Sequence, residues 1–112
     1  MTPDRVRLLV DAMNVVGSRP DGWWRDREGA LRRLEAAAAA YARATGEEVV
    51  VVREGPVTAD EEIVRLVEAD PAPERLRVVT SDRALAARVR RLGASVEGAG
   101  AFRRRLEAAA PG

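Results

Sequence analysis

Across 112 residues, short runs of β-formers alternate with stretches of helical spacing, which restricts the chain to one small α/β domain, residues 1–112, on a mainly parallel sheet. At this length one core forms and not two. Val6-Arg7-Leu8-Leu9-Val10 reads as a buried strand, and positions 11 to 22, with Gly17, Ser18, Pro20 and Gly22, read as a loop. From Asp26, an N-cap candidate, to Thr45, the residues Leu31, Leu34, Ala38 and Tyr41 or Ala42 recur at helical spacing until Gly46 stops the run. Val49 to Val52 has the β-branched character of a strand covered on both faces. A turn through Gly55 and Pro56 then leads to a helix from about Asp60 to Ala69, closed by Pro71 and Pro73. A strand at 76–80, a helix from about Asp82 to Leu92, a short strand near Ser95-Val96 and a helix over 101–109 complete the series.

Parallel strands send every carboxyl-terminal loop to one rim, where ligands bind at the point of strand-order reversal. Asp11 and Asp82 fall at or just past strand ends, and Asp60 opens the helix that follows the second apolar run. All three carboxylates are therefore expected on that rim, an arrangement that holds a divalent cation against a phosphate. Capping accounts equally well for two of them: Thr58-Ala59-Asp60-Glu61 matches a capping box, and Ser81 or Asp82 can cap the next helix. For Asp11 the spacing offers no helix to cap, and a buried acid at a strand end is costly unless it is paired or bound to a cation.

What the chain lacks narrows the chemistry further. It has no His and no Cys, and all 19 basic residues are Arg. Ser-His-Asp and Cys-His catalysis, Cys/His zinc sites, disulfides, a phosphate-loop lysine and Schiff-base chemistry are excluded. Carboxylate chemistry with a metal remains, or no catalysis at all. A net charge of +1 gives no global pull on a polyanion, so a polyanion must be met by a local Arg patch. The first residues do not read as a signal peptide and no segment approaches membrane-spanning length, so a cytoplasmic protein without membrane partners is expected.

Leu8-Leu9-Val10-Asp11-Ala12-Met13-Asn14-Val15-Val16-Gly17, a Trp-containing loop, Thr58-Ala59-Asp60-Glu61, Val78-Val79-Thr80-Ser81-Asp82 and a closing Gly100-Ala101-Phe102 resemble the NYN domain, in particular its YacP-like branch, within the PIN-like nuclease superfamily. The motifs are short, but their order and spacing extend from about residue 6 to 106. The resemblance implies a PIN-like three-layer α/β/α sandwich, clustered aspartates holding Mg2+ or Mn2+, and endonucleolytic cleavage of RNA. By position it makes Asp11 the central metal ligand, with Asn14 orienting it or touching the scissile phosphate, and Asp60 and Asp82 completing the cluster. In the family the second strand ends in Asp-Gly and a further β segment precedes the Thr-Ala-Asp motif. Here Arg53-Glu54-Gly55 runs almost directly into Pro56-Val57-Thr58. Either Glu54 replaces that aspartate as a metal ligand and the next segment is deleted, or Val49 to Arg53 is the later strand and the earlier one is gone.

For substrate binding, Arg83 is best placed, with Arg19, Arg25 and Arg27 in or after the first loop as further candidates, while Arg88, Arg90, Arg91 and the run Arg103-Arg104-Arg105 read as solvated helix faces. The resemblance also lets Thr80 and Ser81 hydrogen-bond Asp82 or the substrate, although strand-end and capping roles account for them more simply. Trp24, beside Trp23 in a polar loop, either stacks on an unpaired base or plugs the end of the core. Two other classes compete with a ribonuclease. One is a catalytically weak NYN-like module that binds RNA or a protein; the other, a haloacid-dehalogenase-like phosphatase, wants an Asp where Met13 stands. Whether two copies pair as a homodimer to complete a groove is left open.

Overall fold

The computed structural model describes residues 6–110. Its elements follow in the order β1 (Arg7–Asp11), α1 (Ala12–Val16), α2 (Arg27–Thr45), β2 (Glu48–Val52), α3 (Ala59–Ala69), β3 (Leu76–Val79), α4 (Arg83–Arg91), β4 (Ser95–Glu97) and α5 (Ala99–Ala109). The strands form one parallel sheet in the order β2-β1-β3-β4, with Leu9 opposite Val50 on one side and Val78 on the other.

The period-2 geometry of a strand sends alternate side chains to opposite faces, and β1 divides its residues accordingly. Leu8 and Val10 pack with Val79 against α1, α2 and α5, through Val15, Leu34, Tyr41 and Phe102. Leu9 packs with Val78 against α3 and α4, through Ile63, Val67, Leu85 and Val89. The result is a three-layer α/β/α sandwich whose inner strands β1 and β3 are covered on both faces.

Local chemistry sets several boundaries. Asp26 caps α2 by accepting from the Gly29 amide at 3.0 Å, and a Cβ at Gly29 would lie 2.2 Å from that carboxylate, so glycine is what lets the cap close. Gly46 ends α2 in the left-handed region, at φ 77°, which an L side chain rarely adopts. Thr58 caps α3 by accepting from Glu61 N, and Asp82 caps α4.

Three expectations are corrected. The segment after Asp11 is not loop from its start: α1 follows Asp11 directly and buries Ala12, Val15 and Val16 against the sheet. Five residues are too few to show a helical period, and packing rather than propensity holds such a turn. Second, β2 is covered on both faces as expected, but at the sheet edge, so that most of its residues stay only half-buried. Its valine run meets helices on its two faces and neighbours only β1 laterally. Third, α5 begins at Ala99, with Phe102 and Leu106 on its buried side. The arginines that follow Phe102 are tied into the fold: Arg103 donates to the Val15 and Val16 carbonyls at the end of α1 and pairs with Asp21, and Arg105 bridges Glu97 and the Tyr41 hydroxyl. No helix among the described residues is long and apolar enough to cross a membrane.

Candidate active site

The chain leaves β1 for β2 on one side and then crosses back to β3 on the other, so strand order reverses between β1 and β3. Asp11 ends β1 at this point, and Thr80, Ser81 and Asp82 leave β3 beside it. Asp11 is 6% exposed and Thr80 1%, the two buried polar or charged residues among the core side chains. The Thr80 hydroxyl donates to Asp11 Oδ2 at 3.0 Å, and its oxygen accepts from the Asp82 amide at 3.1 Å. Asp82 Oδ1 in turn accepts from Ala84 N and Leu85 N at the start of α4. Asn14, on α1, accepts from the Ser81 amide at 2.7 Å, and the Ser81 hydroxyl accepts from Ala99 N at 2.9 Å. One continuous set of hydrogen bonds thus joins β1, α1, the β3–α4 loop and the start of α5.

The electrostatics place Asp60 with this group. Burial pushes the Asp11 carboxyl above its ordinary value; the Thr80 hydrogen bond opposes the shift, and the charges of Asp60 and Asp82 add to it. The Asn14 amide lies near enough to lower it slightly, short of a full capping bond. Asp60, at the start of α3, is also raised, first by burial and then by Asp82 and Glu54, with Arg88 pulling the other way. Like charges held together at a strand-end rim are a signature of sites that bind a cation or handle protons. The oxygens present suit a hard ion such as Mg2+ or Mn2+ in kind. They are not drawn into a ready-made ligand shell: among the described residues no group of three or more acidic side chains stands close enough to hold an ion.

The other sequence candidates divide. Arg83 is exposed at the first position of α4, next to Asp82. Glu54 is exposed just past β2 and reaches Asp60 electrostatically. Arg19 is not brought to the rim, because Glu107 of α5 holds it in a two-point ion pair. Trp24 is 55% exposed and sits edge-on to Trp23 at 5.9 Å, while Trp23 packs against the core with Arg27 over its ring. Spacing put Arg88 on a solvated face, where it is exposed, and from α4, packed beside α3, its charge also acts on Asp60.

A cleft of about 220 Å3, lined by Val15, Trp23, Leu34, Arg103 and Leu106, lies between α1, α2 and α5 and touches none of the three aspartates. The carboxylates lie instead at the carboxyl edge of the sheet.

Thr80 joins two of the acids, so its replacement is informative. In Thr80→Val the shape persists while Asp11 Oδ2 and the Asp82 amide lose their partner. We expect a stability loss of roughly 1 to 3 kcal/mol in urea unfolding, and a further rise of the Asp11 titration followed by carboxyl NMR, since Thr80 supplies its main lowering interaction.

A parallel sheet between helical layers with an acidic residue at the reversal point is common to many α/β folds; likeness to solved structures shows this one to be a YacP-like NYN/PIN-like fold. A solved structure of Rae1 (YacP) from Bacillus subtilis, a tryptophan-to-leucine variant, is similar at 28% identity and a TM-score of 0.76, over 93% of this chain and 76% of that one. A second structure of Rae1 (YacP) from Bacillus subtilis is similar at 27% identity and a TM-score of 0.72, over 91% of this chain and 74% of that one. No protein-family model matches the sequence, and no curated protein matches it.

Proposed function

We propose that the protein is a metal-dependent endoribonuclease that hydrolyses RNA phosphodiester bonds at the carboxyl edge of its sheet. The observation that carries this reading is the buried carboxylate of Asp11 at the reversal point, with the charges of Asp60 and Asp82 acting on it. The likeness to Rae1 (YacP) supports it.

Asp11, Asp60 and Asp82 would hold Mg2+ or Mn2+, with Glu54 beside Asp60. The ion supplies Lewis-acid stabilisation of charge on the phosphate and lowers the pKa of water, so no histidine base is needed. The chain's own residues position the parts. Thr80 fixes the orientation of Asp11 through Oδ2. Asn14 turns its carbonyl oxygen to the Ser81 amide, leaving its NH2 to donate to a phosphate oxygen. Arg83, at the mouth of the site, meets the backbone on one side of the scissile bond.

The test is cleavage of single-stranded RNA by the purified protein with Mn2+ or Mg2+. Activity that stops in EDTA and returns with metal supports the reading, and cutting that continues in EDTA overturns it. Absence of cutting together with no thermal stabilisation by Mn2+ would favour a catalytically weak NYN-like module that binds RNA or a protein partner.

A further inference from the structure

We infer that the exposed face of α4 is the track along which the RNA backbone leaves the aspartate rim. The inference rests on the RNA reading above and assigns a surface to it. α4 carries Arg83, Arg88, Arg90 and Arg91 within nine residues and contains no acid, in a chain whose net charge is only +1. The arginines of α2 and α5 share their helices with glutamates, so α4 stands apart as a helix of uncompensated positive charge.

Pairing sharpens the contrast. Arg7, Arg19, Arg53, Arg65, Arg103 and Arg105 are each ion-paired to a carboxylate, whereas no ion pair among the described residues involves an arginine of α4. Arg88 acts on Asp60 without pairing with it, and Arg83, Arg90 and Arg91 enter no ion pair among the described residues. Position supplies the second argument. α4 is capped by Asp82, so its first turn starts at the acidic rim and its axis runs roughly 13 Å away from it. With Leu85, Ala86 and Val89 buried on one side, helical geometry at 100° per residue sets Arg91 near the centre of the opposite face, flanked by Ala87 and Ala84, with Arg83 toward its margin. Arg90 flanks this stripe on one side and Arg88, turned toward Asp60, on the other. Ala84 and Ala87 are exposed on this face, so the long cations around them can reach a phosphate chain laid along it. Guanidinium forks suit phosphate oxygens.

The competing account is that Arg88, Arg90 and Arg91 only offset the negative end of the helix dipole. It predicts a stability effect and no RNA effect. The two accounts separate in the Arg90→Ala/Arg91→Ala protein, whose substitutions lie away from the carboxylates. Binding is measured with a labelled single-stranded oligouridylate in EDTA, so that cleavage does not enter. We expect affinity to fall roughly tenfold near physiological salt, and the slope of log affinity against log salt to shrink by about 1.4, at 0.7 for each lost single-strand phosphate contact. The Arg90→Lys/Arg91→Lys protein should keep most of the slope. Unchanged affinity and slope in a folded alanine variant overturns the inference, as does tighter binding of polyglutamate than of oligouridylate. If oligouridylate binds through α4 and no metal-dependent cutting is found, the nuclease reading fails and the track stands. If RNA is cut and the alanine variant retains the wild-type KM on a long RNA, the reverse holds.

Discussion

Asp11→Asn is expected to abolish metal-dependent RNA cleavage while making the metal-free protein more stable. Removing a group that merely supports a metal ligand lowers affinity or activity about 10- to 100-fold, so if Asp11 is the central ligand proposed above its loss should exceed about 100-fold. The stability gain follows from the direction of the Asp11 shift. Its carboxyl titrates above the ordinary 3.8 because burial and two neighbouring aspartates disfavour its charge. A carboxyl whose pKa is raised by folding binds protons more readily folded than unfolded, so its ionisation weakens the fold as pH climbs from 3.8 through the raised value. Asparagine carries no charge and can still accept from Thr80. The advantage of Asp11→Asn over wild type should be complete above the raised pKa and vanish as pH falls to 3.8. Thermal melts of both proteins across that range, with and without Mn2+, measure it. Mn2+ should raise the melting temperature of the wild type and leave the variant unmoved. An asparagine variant less stable than wild type at neutral pH would mean that the buried charge is compensated rather than strained. Such exchange of stability for a strained site is common where chemistry is done.

Phe102→Ala should have the largest effect on the fold itself. The ring is fully buried, with its centroid 6.1 Å from that of Tyr41 at 74°, and it shares a cluster with Leu8, Val10 and Val79 of the sheet. Truncating a buried phenylalanine costs about 3 to 5 kcal/mol from lost transfer energy and the cavity left behind. Small domains have only about 5 to 15 kcal/mol in total. The urea midpoint should fall by roughly a fifth or more of its value with little change in slope, and a loss below about 1 kcal/mol would mean that α5 is not seated on the sheet. Since the α5 backbone at Ala99 holds Ser81, the variant should also loosen the β3–α4 loop.

Local rules carried much of the fold in the primary order. The α2 boundaries follow from Asp26 and Gly46, and the amphipathic spacing of Ile63, Val64 and Val67, or of Leu85 and Val89, marks which sides of α3 and α4 are buried. Alternation of strand and helix led to a parallel sheet, and the strand-end position of Asp11 and Asp82 to a shared rim. Other features left no local trace. The five residues of α1 are too short for a period, and the valines of β2 look the same in an edge strand as in a central one. Nor does spacing show that Arg19 meets Glu107 or that Arg103 reaches the end of α1.

The residue order therefore settles where each helix and strand forms and which side of it is apolar, because capping, left-handed glycines and side-chain periodicity act within a few positions of the chain. Strand order, the burial of Asp11 and its bond to Thr80, 69 positions away, exist only once the crossovers have packed both helical layers onto the sheet. Those contacts depend on which distant surfaces exclude water from one another, and adjacent residues carry no record of that.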